Sequence, residues 1–217
     1  MLAIMEPSVE AKDARKFPDP MREVNSHELL KDLLGWGPEA ERAFRKLVET
    51  THPHLTRYIG RYFRDPDQVQ DVLQETYLAI HRALPRFEGK SKLTTWMYSL
   101  AYHKVCDRLS EKYRSGYPVG DGDGQGWELE SADPLPDEVL HQARLVEWIR
   151  ESAEDIPVLY REAYRLRDVE GLTGEEAAEV LGISTTLIRV RLHRARCLIV
   201  ERLQKRHPDA FSEGISF

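Results

Sequence analysis

Cysteine is almost absent: Cys106 and Cys197 are the two in 217 residues. Isolated thiols so far apart offer no disulfide framework and no paired spacing for a zinc site. Both are read as small buried side chains, and no metal or cofactor is expected. Long apolar runs are missing as well. No stretch approaches the roughly 20 residues a membrane-spanning helix needs, so no membrane insertion is expected. The opening Met1-Leu2-Ala3-Ile4-Met5 is too short for an export signal and lacks its basic leader, so the protein is expected to stay in the cytoplasm. Nor is there an excess of positive charge. A formal net charge of -6 argues against indiscriminate coating of nucleic acid. Strand-like alternation appears nowhere along the chain.

What is present favours helix. Leu, Ala, Arg and Glu recur, and apolar residues return every three or four positions. Residues 1–24, with Pro7, Pro18 and Pro20, read as a flexible N-terminal extension. Residues 25–114 read as a first helical domain, with helix starts at Asn25-Ser26, Pro38 and Asp65-Pro66-Asp67 and a stop at Pro85. A last long helix runs from about Leu93 to Arg114. Residues 115–136 carry Gly, Pro and acids but no Lys or Arg. Such a segment buries too little apolar surface to offset its ordering entropy, so it reads as a flexible acidic linker in which Trp127 and Leu129 are apolar exceptions. Residues 137–206 read as a second helical domain and 207–217 as a fraying tail. The expected fold is all-α, two small helical domains on a tether.

The second domain holds the clearest motif. Between Gly171 and Arg189, Thr173 and Glu176 are spaced as a capping box. Ala177 is small enough for a tight helix crossing. Gly182 permits a positive-φ turn, and Ser184 caps the next helix. At 100° per residue, Ile188, Leu192, Ala195 and Ile199 form one inward stripe. Val190 falls opposite, flanked by Thr186, Arg189, His193 and Arg194, with Leu187 and Arg191 further round. Seven bases and one acid lie between Ser184 and Arg206. This is a helix-turn-helix whose second helix suits a major groove: arginines for guanine or phosphate, apolar atoms for a thymine methyl. Alone, it fits an operator-binding regulator with a helical sensor domain, or an inert helical interaction module, as well as any other reader of duplex DNA.

The first domain narrows this. Asp71-Val72-Leu73-Gln74-Glu75-Thr76-Tyr77-Leu78-Ala79-Ile80 resembles the polymerase-binding helix of sigma-70-family factors. Phe87-Glu88-Gly89-Lys90-Ser91-Lys92-Leu93-Thr94-Thr95-Trp96-Met97-Tyr98 resembles their promoter-melting segment. Ile156-Pro157, Glu170-Gly171-Leu172-Thr173 and Arg191-Leu192-His193-Arg194-Ala195-Arg196 resemble their fourth conserved region. From about Glu39 to Leu203, the order and spacing look like the compact extracytoplasmic-function group. The domains would then be sigma regions 2 and 4.

The resemblance implies that Asp71, Gln74 and Glu75 bind core RNA polymerase. It implies that the Phe87–Ser91 loop, with Phe87, Lys90 and Ser91, captures a flipped base of the −10 element, and that His103 stands where most relatives carry Asn. Unpaired DNA needs a ring or apolar edge and bases for its phosphates. Lys104, Arg108 and Lys112, at i, i+4 and i+8, form a basic stripe for that backbone, while Trp96 is assigned to the core. Thr185, Thr186, Arg189, Val190, Arg191, His193 and Arg194 are assigned to −35 duplex DNA. Thr186-Leu187-Ile188 replaces the usual Gly-Thr-Val, and Val190 a common Ser, so an unusual −35 preference is expected. The resemblance further implies promoter DNA and an inhibitory anti-sigma factor as partners. Polymerase supplies the chemistry, so neither a catalytic residue nor a small-molecule substrate is expected.

Overall fold

A computed structural model describes residues 23–25, 27–114 and 137–208. The linker, most of the N-terminal extension and the end of the tail lie outside the described residues. Every regular element among the described residues is helical: α1 His27–Leu33, α2 Pro38–Gly60, α3 Pro66–Ala83, α4 Leu93–Arg114, α5 Asp137–Glu154, α6 Val158–Tyr164, α7 Gly174–Leu181 and α8 Thr185–Arg206. Short 3-10 turns precede α1 and follow α3, and a π turn, Arg165–Val169, continues α6.

Local chemistry accounts for the boundaries. Asp65 caps α3 by accepting from the Asp67 N–H at 3.1 Å, with Pro66 in the first turn where its missing N–H costs nothing. Leu84-Pro85-Arg86 ends that helix as a 3-10 turn. The chain divides into two compact units, Met1–Thr51 and His52–Phe217. In the first, Val24, Leu29, Leu33, Ala43 and Leu47 are buried. Val24, read from sequence as the last residue of a flexible extension, is thus part of an ordered core. The division falls beside Pro53, inside α2, where the ring removes a helical donor.

In the second unit, α3 and α4 lie side by side and bury Val69, Val72, Leu73, Ile80, Leu93, Met97, Ala101 and Val105. Helices α5, α6 and α7 each contact α8, and Ala153, Ile156, Ala195 and Ile199 form a core there, joined by Ile149, Tyr160, Tyr164 and Leu198. Helix α4 also contacts α7.

Candidate nucleic-acid interface

The helix-turn-helix is built as its sequence requires. The Thr173 hydroxyl accepts from the Glu176 N–H at 3.2 Å, and the Glu176 carboxylate accepts from the Thr173 N–H at 2.7 Å, closing the capping box. Ala177 is fully buried at the crossing. Gly182 ends α7 at φ +64°, in the left-handed region. Ser184 caps α8, accepting from the Leu187 N–H at 3.2 Å. Ile188, Leu192, Ala195 and Ile199 are buried. Thr185, Thr186, Leu187, Arg189, Val190, His193 and Arg194 are exposed. Val190 is 58% exposed and Leu187 38%, so this outward face carries apolar surface among its bases. Arg191 differs, being only half-exposed. Half-burial pushes the Tyr102 phenol up, Cys106 and Glu162 push it further, and the Arg191 guanidinium draws it back.

The first-domain surface is less open than its sequence reads. Asp71 and Gln74 are exposed on α3, and Glu75 is half-exposed. Arg108, placed by spacing in a free basic stripe, reaches across to α3, with its Nη2 3.1 Å from the Glu75 carboxylate and 3.6 Å from that of Asp71. Two acids assigned to polymerase and one base assigned to DNA thus form a single cluster. Lys104 lies 4.0 Å from Asp107. The side chain of Lys112 lies outside the described residues. His103 is exposed and its Nδ1 lies 2.7 Å from the Ser99 carbonyl.

In the loop, Lys90 pairs with Glu88, Ser91 is half-exposed, and the half-exposed Phe87 ring sits against Trp96 with centroids 5.0 Å apart. Trp96, assigned to the core, is instead half-exposed and supports the Phe87 ring. Cys106 is half-buried and Cys197 exposed, which corrects the reading of both as buried.

Sequence reasoning missed one cluster altogether. Tyr58, Tyr62 and Tyr98 meet through edge-on rings, with centroids 5.4 Å and 5.2 Å apart. They face Glu162 and Glu170, to which Tyr62 and Tyr98 donate. Burial, then neighbouring carboxylate charge, pushes the Tyr98 phenol well up. The i, i+4 tyrosines and the i, i+3 pair Glu162–Arg165 are visible in the sequence, but nothing there pairs them across a hundred residues.

Comparison with known proteins gives these surfaces a family. Residues 47–115 match the family model for sigma-70 region 2, and residues 147–197 that for sigma-70 region 4. The ECF RNA polymerase sigma factor SigD of Mycobacterium tuberculosis is 34% identical over 158 residues, 70% of this chain and 73% of that protein. The ECF RNA polymerase sigma factor SigX of Bacillus subtilis is 28% identical, over 71% of this chain and 80% of that protein. Among solved structures, CnrH in complex with the cytosolic domain of CnrY has TM-score 0.56 at 22% identity, covering 82% of this chain and 96% of that one. The sigma factor RpoE from Bartonella quintana, solved with the anti-sigma factor NepR, has TM-score 0.55 at 22% identity, covering 74% and 96%. These two share the all-helical fold. The chain belongs to the extracytoplasmic-function group of the sigma-70 family, and it recognises promoters and initiates transcription with RNA polymerase.

Proposed function

We propose that promoter reading is divided between two faces of this chain, with polymerase held by a third. Asp71, Gln74 and Glu75 on α3 bind core polymerase. Phe87, Lys90, Ser91 and His103 take the flipped base and its neighbours in the −10 element, while Lys104 and Lys112 follow the strand backbone and Arg108, held by Glu75 and Asp71, adds less to it. Thr185, Thr186, Arg189, Val190, His193 and Arg194 enter the −35 major groove, with Arg191 at the edge. The observation that carries this reading is the outward face of α8: a capped helix start, with exposed arginines beside exposed Val190 and Leu187. Arginine forks suit guanine and phosphate, and a valine suits a thymine methyl.

The chain acts without catalysing a reaction itself, in the cytoplasm where polymerase works. Among the described residues no helix is long and apolar enough to cross a membrane. An anti-sigma factor is its inhibitory partner, a reading supported by the NepR complex of a fold neighbour.

Run-off transcription with purified core polymerase on a library of promoter templates tests the reading. Initiation at a discrete promoter set that depends on added factor supports it. Tight operator binding by the factor alone, with no initiation on any template, rejects it in favour of a self-contained regulator.

A further inference from the structure

The imidazole of His103 is held in one protonation pattern by its own helix. Its Nδ1 lies 2.7 Å from the carbonyl oxygen of Ser99, one turn back on α4. A carbonyl only accepts, so Nδ1 carries the proton. A neutral imidazole has a single N–H, which leaves Nε2 as a bare lone pair. Among the described residues nothing donates to that lone pair, and the residue is exposed. The Tyr102 ring stands edge-on to the imidazole, with centroids 6.3 Å apart. The backbone bond thus fixes the tautomer and limits rotation of the ring.

The place of His103 on α4 gives the lone pair a task. The Phe87 ring of the loop rests on Trp96. The Ser99 hydroxyl donates to the Trp96 carbonyl at 2.7 Å, and the Ser99 carbonyl holds His103. Trp96, Ser99 and His103, at i, i+3 and i+7, share one face of the helix. The step from Trp96 to His103 spans about 10 Å at about 1.5 Å per residue. An exposed hydrogen-bond acceptor of fixed identity therefore stands about two helical turns from the aromatic pair, on the same face.

Base chemistry decides what such an acceptor reads. On the edge exposed in the major groove, adenine presents its N6 amine and cytosine its N4 amine. Guanine presents O6 and N7 there, and thymine O4, all acceptors. Facing these, Nε2 would set one lone pair against another and leave both without a donor. The ring N–H groups of guanine and thymine are occupied as long as the bases remain paired. An asparagine at this position, as most relatives carry, has an amide that both donates and accepts, so it imposes no such rule.

We propose that His103 selects adenine or cytosine at one position of the −10 element, by accepting from the exocyclic amine of the base through Nε2. The proposal deepens the promoter reading above and rests on it.

Two readouts on the full chain test it. Nitrogen-15 NMR of the imidazoles at mildly alkaline pH reads the tautomer, with the His103 signals identified by their loss in His103→Asn. Nδ1 should be the protonated nitrogen and Nε2 the bare one, and the opposite tautomer overturns the proposal. Run-off transcription with core polymerase on templates randomised across the −10 element reads the selection. The parent should favour A or C over G or T about three- to tenfold at one position, as a single hydrogen bond allows. His103→Ala should flatten the preference at that position alone, and His103→Asn should admit G there. Replacing the preferred adenine by purine, or the preferred cytosine by 2-pyrimidinone, removes only the amine. That change should cost the parent the same factor and cost His103→Ala nothing. A parental preference for G or T at the position that His103→Ala flattens overturns the proposal, and so does equal use of a base and its amine-free analogue by the parent. Factor-dependent initiation with a −10 profile that neither variant changes rejects the proposal alone. Absence of factor-dependent initiation on every template rejects the promoter reading and the proposal with it.

Discussion

Two basic faces look alike in sequence and differ in the folded protein. On α8, Arg189 and Arg194 are exposed, flanking Val190 on the side away from the core stripe of Ile188, Leu192, Ala195 and Ile199. On α4, Arg108 belongs to a basic stripe with Lys104 and Lys112, yet two α3 carboxylates take its charge. Periodicity tells which way a side chain leaves its own helix. It does not tell what stands across the gap. A base on a peripheral helix stays available to phosphate, while a base beside an acidic neighbour becomes part of an internal balance.

The largest effects should separate the inner and outer faces of α8. Ile188, 1% exposed, fills the core, and Ile188→Ala should lose about 2–4 kcal/mol of stability through lost burial and a cavity. Val190→Ala should stay within about 0.5 kcal/mol of the parent but change which base pairs are preferred in a −35 selection experiment. Urea denaturation of both variants measures the first contrast. Equal losses would mean that the helix is seated on a different face.

The comparison sharpens when the two arginines are removed in turn. Arg189→Ala should weaken promoter binding by about 1–3 kcal/mol if it pairs with a base, or lower the salt slope by about one if it contacts phosphate. Arg108→Ala should change the slope much less, because its charge is already half spent on Glu75 and Asp71. It should instead alter affinity for core polymerase, by releasing those two acids. Binding titrations across a salt series, with and without core polymerase, distinguish the two. Identical slopes for both variants would show that the α3 carboxylates do not hold Arg108 in solution.

The same contrast explains how much the sequence discloses. Helix positions, the capping box, the Gly182 turn and the inward stripe of α8 follow from rules that act within about four residues, and each was legible. The Phe87–Trp96 ring contact, the Arg108 cluster and the Tyr62–Glu162 contact depend on side chains from different helices. Those pairings are fixed by packing geometry, which single-helix spacing does not encode. Cys197 is exposed because its position on α8 falls almost opposite the core stripe, beside Val190 on the outward face. Composition alone, which favours buried cysteine, points the wrong way there.

A smaller effect tests the local rules themselves. Ser184→Ala removes the acceptor for the Leu187 N–H and should cost about 1 kcal/mol, seen as a lower urea midpoint with an unchanged m-value. An unchanged midpoint would mean that water serves the start of α8 as well as the serine does.

The smallest effect concerns acid, and its sign follows from Glu176. Partial burial works to raise this carboxyl, but the hydrogen bond from Lys92 and the backbone donor at Thr173 outweigh it and hold the group below its ordinary value of 4.5. A lowered folded value means that the ionised form stabilises the fold. That contribution is complete above the ordinary carboxylate value and is lost as pH falls through the folded one. Because the Lys92 end is 57% exposed, screening limits the ion-pair share to about 0.5 kcal/mol. Glu176→Gln keeps an acceptor for the Thr173 N–H and discards the charge. The parent should therefore lose more of its urea midpoint than the Gln variant between pH 7 and pH 4, and Lys92→Ala should show part of the same flattening. Parallel pH profiles for parent and Glu176→Gln would show that Lys92 does not hold the carboxylate in solution.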